Sequence, residues 1–219
     1  MSDVMTADTT AMLQHMATVF MGFFAIMNPI ANVPVFLGLT GGDDARTTKL
    51  VAARAVITAF IIVAVFAICG KLLFDVFGLT IPALRITGGI LVFMIGFQML
   101  QGQQSSVHHL GKEGDKKTLD AELSVAITPL AIPILAGPGT LVTAMNFSTG
   151  GGLTEVSITL VCFGTLCLLT YLLFVSGERF VRFIGEGALG VITRLMGLIL
   201  AGIGMQMMID GLKGAFPSL

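Results

Sequence analysis

From Met12 to Thr40, and again from Leu123 to Thr154, the chain carries no Asp, Glu, Lys or Arg, yet prolines interrupt both stretches. The first reads Asn28-Pro29-Ile30-Ala31-Asn32-Val33-Pro34. The second reads Thr128-Pro129-Leu130-Ala131-Ile132-Pro133, then Gly137-Pro138-Gly139. In a bilayer every backbone polar group must be satisfied internally. Each interior proline removes an N–H from the helix. A broken helix therefore persists only where the freed groups are buried in protein or line a cavity. A matched pair of such interruptions points to the substrate site of a transporter.

Composition narrows the class further. The 219 residues are 55% hydrophobic and 11% charged, with a mean hydropathy of +0.94. That balance is too apolar for a soluble domain of this size. A net charge of −1 gives nucleic acid no footing. The N-terminal decapeptide holds Asp3 and Asp8 but no Lys or Arg, so it lacks the basic start of a cleavable signal peptide. The first apolar segment is expected to remain in the mature protein. Cys69, Cys162 and Cys167 lie in apolar stretches without pairing or metal spacing. They read as buried small hydrophobes, and His15, His108 and His109 as structural. No metal ligands and no cofactor are expected.

Six apolar stretches emerge, at roughly Leu13–Leu39, Ala52–Leu73, Pro82–Leu100, Leu123–Phe147, Val156–Phe174 and Ala188–Ile209, each near the length of about 20 residues that a spanning helix needs. The third contains Arg85-Ile86-Thr87-Gly88-Gly89-Ile90-Leu91 and then Gly96-Phe97-Gln98. The sixth contains Arg194-Leu195-Met196-Gly197-Leu198-Ile199-Leu200 and then Gly204-Met205-Gln206. One single-residue gap brings Arg, Gly, Ile-Leu, Gly and Gln into register. The predicted architecture is all-α: a polytopic membrane protein of six helices, broken in the first and fourth. It forms one domain, 1–219, with repeat one at about 11–101, a polar cytoplasmic loop at about 102–122 and repeat two at about 123–213. Three spans per repeat is odd, so the second copy enters the membrane from the opposite side, an inverted-topology repeat.

With the N-terminus outside, nine of the 12 basic residues fall in cytoplasmic loops. Only Lys71, Arg85 and Lys213 remain outside. The positive-inside rule then puts both termini on the outer face. Arg54, Asp75 and Arg85 sit near helix ends and are expected to snorkel to the interface. The glycines of spans three and six suit close helix packing, within the chain or across a homo-oligomer.

Asn28-Pro29 reads as a helix start, since Asn is a good N-cap and Pro suits the first helical position. Thr128-Pro129 has the same form. Each would aim free N–H groups and a positive dipole end at the middle of the protein, which attracts a carboxylate. The prolines would free the carbonyls of Ala25, Ile30, Val125, Pro129 and Ile134, which suit an ammonium group or a sodium ion. Backbone alone could then hold both ends of a zwitterion. The absence of charge in both segments favours a neutral or zwitterionic solute, because an ionic one calls for a buried counter-charge. The expected substrate-binding residues are Asn28, Pro29, Asn32, Pro34, Thr128, Pro129, Pro133, Gly137, Pro138 and Gly139, with Gln98 and Gln206 from the matched third helices. Thr140, Thr143 and Asn146 are further candidate contacts.

The Asn-Pro-Ile run at 28–30 leading into Pro34-Val35-Phe36, and the Pro-Leu-Ala-Ile-Pro-Ile-Leu-Ala-Gly-Pro-Gly run at 129–139, resemble the MarC family of bacterial inner-membrane proteins. The resemblance covers essentially the whole chain. It implies a multi-pass protein of the bacterial inner membrane, related to the lysine exporter superfamily, that carries small neutral amino acids. The leading expectation is a secondary transporter or exporter working by alternating access, with lipid and a small solute as its partners. No Walker-type phosphate loop is present. A small-solute channel and a non-transporting sensor or assembly factor stay open as alternatives. The broken segments hold no Ser/His pair, Asp/Asp pair or zinc motif, so no catalytic residue and no enzyme activity is expected.

Overall fold

A computed structural model describes residues 2–40, 43–78, 80–101, 130–131, 135–148 and 152–216. Among the described residues there are helices and no strands. They are α1 (Ser2–Met27), α2 (Pro29–Leu39), α3 (Ala45–Phe77), α4 (Ile81–Leu100), α5 (Pro138–Ser148), α6 (Gly152–Val175), α7 (Gly177–Ile184) and α8 (Glu186–Ala215).

Five stretches are long and apolar enough to cross a membrane: Thr10–Leu39, Ala45–Gly70, Ile81–Leu100, Gly152–Val175 and Gly187–Ala215. The first joins α1 and α2 across their break. Of the expected span Leu123–Phe147, much lies outside the described residues, and α5 forms its described end. On α3, Ile57, Ile61, Val65, Ile68 and Leu72 are all exposed at helical spacing, one apolar face turned outward as lipid requires.

Several helices run further than the apolar pattern predicts. α3 begins at Ala45, although Arg46, Lys49 and Arg54 follow. Basic side chains are good helix formers and can carry their charge to the interface, so they end the hydropathy signal without ending the helix. Asp44 starts this helix. Its carboxylate accepts from the Arg46 N–H at 3.0 Å and from the Thr47 hydroxyl. Those bonds, the Thr47 one first, favour the charged form and hold the Asp44 pKa below its ordinary value.

The most extensive packing lies between α4 and α8. A Cβ on Gly89 would sit 2.6 Å from the Gly204 carbonyl oxygen, and one on Gly204 2.7 Å from that of Gly89. Likewise a Cβ on Gly96 would meet the Gly197 oxygen at 2.6 Å, and one on Gly197 the Gly96 oxygen at 2.8 Å. Rising numbers on α4 meet falling numbers on α8, so the two run antiparallel. Lipid is as apolar as any side chain, and association inside it rests on such close backbone contact.

Aromatic side chains fill the other interior. Phe23 of α1 lies 5.0 Å from Phe163 of α6, and Phe36 of α2 stacks on Phe174 at 4.4 Å. The two short helices exchange neighbours: α2 packs on α6, α7 and α8, whereas α5 packs on α1, α3, α4 and α6. The short α7 is amphipathic. Gly177 brings it against Val33 and Leu37, while Phe183 is 91% exposed, as suits a helix lying in the interface.

Candidate functional site

α1 stops at Met27 because Asn28 turns the chain into the left-handed region, φ 42° and ψ 66°. It is the one non-glycine residue with positive φ among those described. Asn tolerates that conformation better than most side chains. Its carbonyl accepts from the Asn32 N–H at 3.2 Å, and its side-chain Oδ1 accepts from the Ala31 N–H at 3.3 Å. Pro29 follows as the first residue of α2, with no N–H to satisfy. The expected half-helix start is thus present here in the residues that suggested it. Asn32 does a second repair: its Nδ2 donates to the Met27 carbonyl at 2.7 Å. Pro34 lies inside α2, so the Ile30 carbonyl loses its usual donor.

The second interruption is built differently. The Ala136 N–H donates to the Ala131 carbonyl at 2.9 Å, five residues back, a π-type turn. Gly137 then accepts from the Leu141 N–H at 3.0 Å and opens α5 at Pro138. Thr128, Pro129 and Pro133 lie outside the described residues. The half-helix that is described therefore begins at Gly137-Pro138.

The two interruptions meet. A Cβ on Gly139 would lie 3.5 Å from Ile26, two residues before Asn28, and 3.4 Å from Val92 and Ile95 of α4. Around this junction Asn28, Asn32, Thr140 and Thr143 are all buried. Asn28 is 3% exposed, yet its Nδ2 has no hydrogen-bond partner among the described residues. The same holds for the hydroxyl of Thr143. Buried donors are normally paired, so an unpartnered amide and hydroxyl beside two helix starts are what a polar ligand would need.

Of the other candidates, Gln98 is half-buried on α4. Gln206 is exposed on α8 and donates to Asp210, one turn on, at 2.9 Å. Asn146 is engaged: its Oδ1 accepts from Arg85 Nε at 2.7 Å. Arg85 therefore reaches across from α4 to α5. His15 also has a partner, Glu155 of α6, at 2.7 Å. Both links join residues far apart in the chain, and no local pattern announces them. Among the described residues no cluster of His, Cys, Asp or Glu could hold a metal ion.

Long lipid-facing helices, one of them broken within its apolar length, define a polytopic helical membrane protein. The chain belongs to the MarC family of integral membrane proteins, whose family model matches residues 13–216. It is similar to the UPF0056 membrane protein YvbG of Bacillus subtilis, 40% identical over 209 residues, 95% of this chain and 99% of that one. A UPF0056 membrane protein of Pyrococcus horikoshii is 42% identical over 90% of this chain and 94% of its own length. Escherichia coli YhcE, also a UPF0056 membrane protein, is 31% identical over 91% and 93%. No solved structure matches.

Proposed function

We propose that this protein is a secondary transporter or exporter of a small neutral or zwitterionic solute, an amino acid above all, in the bacterial inner membrane. One observation carries the reading: two helix starts, at Asn28-Pro29 and Gly137-Pro138, adjoin beside a buried amide and a buried hydroxyl that lack partners among the described residues. Helix N-termini and Asn28 Nδ2 offer donors to a carboxylate. The Ala25 carbonyl, whose usual donor would be the N–H that Pro29 lacks, offers an acceptor to an ammonium group or to sodium. No Asp, Glu, Lys or Arg lies in either broken segment, which disfavours a charged solute.

The inverted 3+3 repeat is part of this proposal. Gly89 facing Gly204 and Gly96 facing Gly197 is the reciprocal pattern expected when a two-fold relates the matched spans. The exchange of neighbours by α2 and α5 supports the same relation. Rocking one repeat against the other would expose the junction to either side in turn. The basic residues favour both termini on the outer face.

The test is counterflow of radiolabelled alanine, glycine and serine in proteoliposomes, with and without a sodium gradient. Saturable counterflow is expected. Folded protein that moves none of the three would remove the small amino-acid reading, and flux that does not saturate would favour a channel.

A further inference from the structure

A groove of about 400 Å³ runs along the outer surface between α3 and α6, away from the junction of the two breaks. Phe60 and Gly164 form its floor, and a Cβ on Gly164 would lie only 3.3 Å from the Phe60 ring. Ile57 and Leu168, both more than half exposed, form its rims. The lining is almost wholly apolar. At one end it runs into a second hollow of about 380 Å³ through two shared residues, Ala53 and Tyr171. Arg46 and Lys49 line that second hollow, at the N-terminal turn of α3. Asp44, just before α3, caps its first turn and forms no ion pair with either cation among the described residues.

An apolar slot that ends in two cations matches one kind of molecule. We propose that this groove binds an anionic phospholipid, with an acyl chain between α3 and α6 and the phosphate against Arg46 and Lys49. Basic pockets between spanning helices take anionic headgroups. Tyr171, the single tyrosine of a chain without tryptophan, stands where the two hollows join. An amphipathic ring belongs at that boundary between acyl chain and headgroup. A second copy of the chain would supply apolar surface to the slot but no phosphate to its mouth. The inference goes beyond the transport reading and does not depend on it.

Native mass spectrometry of the detergent-solubilised protein, titrated with dioleoylphosphatidylglycerol or dioleoylphosphatidylcholine, tests it. The wild-type protein should prefer the glycerol lipid. Arg46→Gln and Lys49→Gln should each weaken that lipid about fivefold, and together about thirtyfold, with little effect on the choline lipid. Leu168→Trp, at an exposed rim, should weaken both lipids by filling the slot. Wild-type retention of phosphatidylglycerol by the double variant, or of both lipids by Leu168→Trp, would overturn the proposal. A photoreactive acyl phosphatidylglycerol on wild-type protein gives a check free of any folding defect. Labelling should fall on α3 and α6 around Ile57 and Leu168. Labelling elsewhere, or a cross-linked dimer through this face, would overturn it too.

Discussion

The two interruptions open half-helices of equal length, 11 residues each, by different chemistry. The first is closed by side chains. Asn28 caps the Ala31 N–H through Oδ1, and Asn32 supplies the Met27 carbonyl with the donor its own backbone lost. Among the described residues the second is closed by backbone, through the π-type turn from Ala131 to Ala136 and the Gly137 carbonyl. Gly137 has no side chain with which to cap, so the N–H groups of Gly139 and Thr140 receive nothing from it. The first break is therefore closed around a strained residue, and the second has no side-chain cap from the residue that opens its helix. On the transport reading, a helix start without a side-chain cap is the better seat for a carboxylate.

The sharpest way to break this comparison is to fill the point where the two meet. Gly139→Ala adds a Cβ at ordinary contact distance from Ile26, Val92 and Ile95, and should keep stability and transport. Gly139→Val forces further atoms into the same contacts. It should cost about 3 kcal/mol, the upper part of the overpacking range, and reduce counterflow about tenfold or more. Unfolding in mixed detergent micelles and proteoliposome flux measure the two effects. Wild-type flux in Gly139→Val would separate the two breaks functionally.

Asn32→Leu addresses the first break alone. It keeps the branching and heavy-atom count but leaves the buried Met27 carbonyl without its donor, a loss of about 2 kcal/mol. An unchanged unfolding midpoint would show that another group reaches that carbonyl. Asn28 allows structure and ligand binding to be told apart. Asn28→Ala loses the cap and must still enter the left-handed region, at about 1 kcal/mol or more. Asn28→Gly adopts that conformation freely and should cost only about a few tenths of a kcal/mol. It also removes the unpartnered Nδ2 and gives the first break the bare chemistry of the second. Folded Asn28→Gly that has lost counterflow would assign the amide to the solute. Folded Asn28→Gly with full counterflow would make Asn28 a cap and nothing more.

The features legible in the sequence are those with local signatures. Asn followed by Pro is such a signature, and α2 begins there. The MarC resemblance rested on the same runs, and the family match bears it out. The start of α5 was harder to read. Gly137-Pro138-Gly139 stood out as a site, but a glycine that caps through its carbonyl leaves no side-chain mark of a helix start. Helix ends were misjudged in one direction, as on α3, because hydropathy stops at the first charge and helix propensity does not. The spacing of glycines 89, 96, 197 and 204 was visible, but which glycine faces which depends on how α4 and α8 pack. Gln206 was matched to Gln98 by register, although Asp210, four residues on, was the nearer partner for it.

The smallest effect concerns how α5, the half-helix whose start lacks a side-chain cap, is held in place. Arg85 donates to Asn146 near the far end of α5 from Gly139. Hydrogen bonds between membrane helices are worth about 0.6 kcal/mol on average. A double-mutant cycle with Arg85→Gln and Asn146→Ala should return a coupling of about that size. The α2 side has an internal repair in Asn32, whereas α5 depends on α4 for this contact. A coupling near zero would mean that packing alone seats α5. A much larger one would make the tether part of the site's construction, and Asn146→Ala should then lower counterflow without lowering the unfolding midpoint in proportion.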